Sequence, residues 1–105
     1  MSVLAFLATL PAAFDPVAAD GVTGTVQLQV STPVTVVLGK GTVTVQEGIA
    51  DDPDVTLTAD DDDLIAVLRG ELDGVQAFLA GRLSVEGDLQ LAKDMPTFFD
   101  KARLG

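Results

Sequence analysis

Sixteen acidic and six basic side chains, with no histidine and no cysteine, bound the chemistry open to this 105-residue chain. Seven of the carboxylates, Asp51, Asp52, Asp54, Asp60, Asp61, Asp62 and Asp63, fall within thirteen residues, a cluster that offers oxygen ligands to a hard cation. The spacing fails the calcium-loop pattern, because the position that must be glycine, counted from Asp60, is Ile65. Asp60 to Asp63 open an apolar periodic run, where one aspartate would cap free N–H groups and the others would favour the positive end of the helix dipole. No metal site is expected. Paired carboxylates could also do acid–base work on a glycoside, but every Asp and Glu sits at a cap, in a loop or on the wet side of a strand. Ser2, Ser31 and Ser84 have no histidine to activate them, and Lys40 and Lys101, candidates for a Schiff base with Lys93, lie in a hairpin and near the chain end. The expectation is no catalytic residue, no cofactor and no enzyme activity.

Apolar residues are the stronger signal. Phe78, Leu79, Leu89, Ala92, Met95, Phe98 and Phe99 recur at helical spacing in the last third of the chain, with Leu83 and Val85 alternating between them and Leu64 and Leu68 just before. Such a set serves either as plain core or as the wall of an apolar cavity. Phe98 and Phe99 follow Pro96, where a lid would be free to swing, and Met95 adds an adaptable side chain.

The elements that must position these residues follow from periodicity and punctuation. Phe6, Leu7 and Leu10 share a helical face that Pro11 ends or bends, returning Phe14 to the core. Three strands alternate next: Val26, Leu28 and Val30; Val34, Val36 and Leu38; Val43 and Val45. Thr25, Gln27, Gln29, Thr35, Thr42, Thr44 and Gln46 then form an opposite face that is wet but uncharged, with Val37 breaking the pattern outward. Glu47 to Pro53 reads as a loop and Val55 to Thr58 as a fourth strand. Leu64, Val67 and Leu68 lie on a helix ended by Gly70; an Asp73-capped helix presents Val75, Phe78 and Leu79 and ends at Gly81. Leu83 and Val85 make a fifth strand, Asp88 caps a helix with Leu89, Ala92 and Met95, and Pro96 starts a final turn carrying Phe98, Phe99 and Ala102. Helices that must all cover one face of the sheet define an α+β, two-layer architecture, with residues 1–105 as one domain.

The run Leu68, Gly70, Leu72, Asp73, Ala77, Phe78, Gly81, Leu83, Val85, Gly87, Asp88, Ala92 resembles the most recognisable segment of the sterol carrier protein 2 type, the SCP2-like lipid-binding domains. Leu10-Pro11-Ala12-Ala13-Phe14 and Asp52-Pro53-Asp54-Val55-Thr56-Leu57 fit the same pattern, so the likeness extends from Phe6 to Leu104. The resemblance implies a five-stranded, mostly antiparallel sheet covered on one face by helices, with an apolar tunnel between the layers. It implies non-catalytic carriage of a lipid or other apolar small molecule, such as a fatty acid, an acyl-CoA or a sterol-like compound. Under it Leu64, Leu68, Phe78, Leu79, Leu83, Val85, Leu89, Ala92, Met95, Phe98 and Phe99 line the cavity. The alternative is an interaction module, a homodimer or the accessory partner of an enzyme, with a filled cavity.

Composition narrows the partners. A formal net charge of −10 beside 48% hydrophobic residues argues for a folded domain and against nucleic acid, whose phosphates need clustered bases. The same charge argues against stable attachment to anionic membranes and departs from the basic, membrane-active members of the family. Val3 to Leu10 is too short, and too poor in preceding bases, for a secretory signal. Ala102-Arg103-Leu104 resembles a peroxisomal tripeptide, but Gly105 follows it. A cytoplasmic location is the expectation.

Overall fold

The computed structural model describes residues 2–104; Met1 and Gly105, the ends of the expected domain, lie outside the described residues. Two short helices, α1 (Val3–Leu7) and α2 (Leu10–Ala13), precede β1 (Gly24–Gln29), β2 (Val34–Gly39), β3 (Thr42–Glu47) and β4 (Val55–Ala59). Helices α3 (Asp61–Leu68) and α4 (Gly74–Leu79) follow, then β5 (Leu83–Gly87) and α5 (Leu89–Asp94), with 3-10 turns at Met95–Phe98 and Lys101–Arg103.

The strands form one sheet in the order β3-β2-β1-β4-β5. Three of its four pairings are antiparallel, and the other, β1 with β4, is parallel, with Val26 opposite Val55 and Leu28 opposite Leu57. A hairpin can join antiparallel neighbours, whereas the parallel pair needs a long excursion, here the β2–β3 hairpin and the segment after it. Alternation then decides the faces. Val26, Leu28, Val34, Val36, Leu38, Val55 and Leu57 point into one buried apolar cluster with Phe6, Leu7, Leu10, Leu64, Leu68, Met95 and Phe98 from the helical layer.

The caps fall where the aspartates stand. Asp73 accepts from the N–H groups of Val75 and Gln76, and Asp88 accepts from Leu91 N–H. Gly70 and Gly81 take φ values of 76° and 78° just past α3 and α4, the left-handed conformation that ends a helix. Asp60 is the N-cap of α3 but makes no side-chain cap bond, contrary to the capping role expected of this cluster. The aspartates bind outward instead. Asp61 accepts from Ser31 N–H and Ser31 Oγ, and Asp54, from the same acid-rich stretch, accepts from Thr25 N–H at 2.7 Å.

The outer face is not uniformly wet. Gln27 is 1% exposed and Thr35 is 8% exposed, because the segment after β3 folds back across them. Gln27 Nε2 donates to the carbonyls of Val34 and Gly48, and its Oε1 accepts from Ala50 N–H and Thr35 Oγ1. A buried amide must satisfy its donors and acceptor, and here the returning backbone supplies the partners.

Candidate functional site

Two depressions mark the surface on opposite sides of the sheet. The one on the outer face, about 420 Å³, is lined by Thr25, Thr35, Gln46 and the carboxylates Glu47, Asp51 and Asp52, with Val37 and Ile49. Its polar walls suit water better than an apolar solute. The other, about 350 Å³, lies on the helical side and is lined by Leu4, Leu7, Ala8, Pro11, Val34, Val45 and Glu47. Its volume is in the roughly 300–1,000 Å³ range of small-molecule sites, and its walls are apolar except at Glu47.

This groove follows from the local sequence. Pro11 stands in the first turn of α2 and α1 stops at Leu7, so the helical run is interrupted at Ala8 and Thr9 and resumes as α2 against β3. Val43 and Val45 face the helical layer opposite Leu38 and Val36, yet remain half-buried because the layer is thin over the edge strand. Leu7 and Val34, on its floor, belong to the same apolar cluster as Leu64, Leu68 and Met95.

The structure divides the eleven residues that the sequence marks as cavity lining. Leu64, Leu68, Leu83, Met95, Phe98 and Phe99 are buried between the layers; Val85 and Ala92 are half-buried against them. Phe78, Leu79 and Leu89 point to solvent, at 47%, 72% and 62% exposure. The reason is which side of each helix turns inward. Helix α4 buries Ala77 rather than its larger side chains. On α5 the inward position is Leu91, whose Cδ2 takes the space that the absent side chain of Gly24 leaves.

The segment expected to swing as a lid is fastened. Phe14 and Phe99 pair as an isolated antiparallel bridge, Asp15 N–H donates to Phe98 O at 2.7 Å and Asp100 N–H donates to Ala13 O at 2.7 Å. Lys101 Nζ donates to Leu68 O at 2.7 Å and to Pro96 O, holding the turn against the end of α3. Burial lowers the ammonium pKa from its ordinary value. Arg82 pairs with Asp63, whose hydrogen bond and then charge raise the guanidinium pKa.

Sequence reasoning marked none of the groove-lining residues Leu4, Leu7, Ala8, Pro11, Val34, Val45 and Glu47 as a site, and it placed Glu47 in a loop. The available signal was the Val43–Val45 alternation carried one step further. Among the described residues no three acidic side chains converge as a metal would require, and no helix is long and apolar enough to cross a membrane.

The chain is similar to known proteins over most of its length. The Pseudomonas sp. sec-alkylsulfatase Pisa1 has a region that superposes with a TM-score of 0.81 at 21% identity, covering 87% of this chain and 15% of that one. Sterol carrier protein 2 like 2 from Aedes aegypti is 28% identical with a TM-score of 0.72, covering 92% of this chain and 95% of that one, and its palmitated form matches at 27% identity with a TM-score of 0.71 over 92% and 93%. Peroxisomal multifunctional enzyme A of Dictyostelium discoideum is 30% identical over 66 residues, 63% of this chain, which spans 15% of that protein's length. The family model described as the SCP-2 sterol transfer family matches residues 8–100, and with the five-stranded sheet and its one-sided helical layer this shows that the chain belongs to that family.

Proposed function

We propose that this chain carries lipids or other apolar small molecules without transforming them, taking the apolar chain of the ligand into the groove between α1, α2 and the β2–β3 edge. The observation that carries this reading is the continuity of the groove floor with the core: Leu7 and Val34 belong to both. Deeper insertion would part the layers toward Leu64, Leu68, Met95, Phe98 and Phe99, with Leu83, Val85 and Ala92 beyond. The palmitated state of the similar mosquito protein supports an acyl chain as the kind of ligand. Burying ~14 methylenes at roughly 0.8 kcal/mol each supplies about 11 kcal/mol. Association and ordering cost roughly 4 to 15 kcal/mol, which leaves at most about 7 kcal/mol and makes binding reversible, with a dissociation constant of roughly 10 μM at the tightest.

The test is native mass spectrometry after gentle purification, then organic extraction and uptake of a fluorescent acyl probe. Saturable uptake that Val45→Asp abolishes supports the reading. A bare mass together with no uptake would mean that the seam is simply core. A second reading has its own observation: Phe78 and Leu79 on α4 are exposed and apolar, as on a surface that meets another protein. Similar domains inside longer proteins favour an enzyme or a second copy as that partner. A stable dimer or an enzyme that co-purifies, lost in Leu79→Ser, would identify it.

A further inference from the structure

The register of β3 places a carboxylate where the alternation calls for a third apolar side chain. Val43, Val45 and Glu47 lie opposite Leu38, Val36 and Val34, so all three stand on the helical side of the sheet. Glu47 is exposed at the lip, bordering both the apolar groove and the outer depression, and is the one charged residue among the groove's lining. Among the described residues its carboxylate has no ion pair or side-chain hydrogen bond. The bases lie elsewhere. Lys40 is in the turn at the opposite end of β3, Arg69 pairs with Glu71, Arg82 with Asp63 and Arg103 with Asp100. Lys101 is held on the Leu68 and Pro96 carbonyls, Lys93 is on α5, and none of the six lines the groove.

From this geometry we infer that the groove selects apolar chains by head group, preferring an ammonium to a hydroxyl and a hydroxyl to a carboxylate. The inference rests on the groove being the lipid site. A bound chain whose polar end emerges at the lip meets Glu47: an ammonium forms an ion pair there, a hydroxyl donates a charge-assisted hydrogen bond, and a carboxylate is repelled with no base among the described lining residues to offset it.

The experiment compares dodecylamine, dodecanol and dodecanoate on the full chain by calorimetry near pH 8, where the amine is protonated and the acid ionised. The amine should bind roughly tenfold or more tightly than the acid, equivalent to about 1.4 kcal/mol or more, with the alcohol between them. Glu47→Gln should close most of that gap and tighten dodecanoate. Asp52→Asn, the same change of charge in the outer depression, should leave the gap standing. Dodecanoate binding as tightly as dodecanol, or Asp52→Asn closing the gap as far as Glu47→Gln, would overturn the selection while leaving the groove as the site. Absence of binding by all three would overturn the site itself, and the selection with it.

Discussion

The rings of Phe14 and Phe99 stand 6.0 Å apart at an interplanar angle of 58°, over a backbone bridge between the same two residues. Sidechain and main chain thus fasten the end of the helical layer to its beginning. Phe99 is 4% exposed, so Phe99→Ala should cost about 3–5 kcal/mol of unfolding free energy, read by urea denaturation. A loss near zero would mean that the segment is a loose flap.

Gln27 is the polar keystone of the outer face. Gln27→Ala strips four hydrogen bonds and leaves Ala50 N–H short of a partner, while the Gly48 carbonyl keeps the Thr35 hydroxyl, which should cost roughly 2–4 kcal/mol. Amide exchange at Ala50 should quicken more than exchange at Leu28, in the centre of the sheet. Equal acceleration at both would argue that the amide supports the whole sheet rather than the returning segment.

Two glycines separate strain from crowding. At Gly87, with φ 108°, a Cβ would overlap the carbonyl oxygen of Asp54 and lie 3.0 Å from Val55 Cα. Gly87→Ala should therefore cost about 3 kcal/mol or more by loosening β4 from β5. Gly81, with φ 78°, faces open space, and Gly81→Ala should cost only about 1 kcal/mol. Thermal melts of the two variants side by side give the comparison.

Lys101 sets a pH dependence on the alkaline side. Its folded-state pKa lies below the ordinary 10.5, so between the two values the unfolded chain binds more protons and the unfolding free energy rises with pH. Lys101→Met should flatten that rise in chemical denaturation run from about pH 8 to 11. An unchanged slope would place its origin in other groups.

The Arg82–Asp63 pair joins the start of β5 to the first turn of α3, with the guanidinium half exposed and the carboxylate more sheltered. Arg82→Gln should lower the melting temperature modestly at low salt and by less at high salt, because exposed charges are screened. A loss independent of salt would point to packing by the arginine stem.

The helix and strand pattern was legible because alternation and capping are local properties: Asp73, Asp88, Gly70 and Gly81 do in the structure what their types and spacing predict. The sheet with its one-sided helical layer followed from the same signals and from the family resemblance. What was hidden depends on contacts far apart in the chain. Gln27 reads as a solvated strand residue until the segment around Ala50 covers it, and Asp61 reads as part of a cap until Ser31 arrives from the end of β1. Leu91 and Leu89 are equally apolar, and only the room left by Gly24 decides which turns inward. Glu47 reads as a loop residue until the register of β3 sets it opposite Val34.

The parallel pairing of β1 with β4 also bears on how the molecule assembles. β1, β2 and β3 form a meander of near neighbours in the chain, whereas β1 reaches β4 across a longer separation, 29 residues at the Thr25–Asp54 contact that precedes their parallel ladder. Closing that loop loses chain entropy before any contact across it forms, so the seam should be the slow event in refolding. The meander and the β4–β5 half then behave as two units that dock, and Thr25, Asp54, Ser31 and Asp61 hold the last stitches between them.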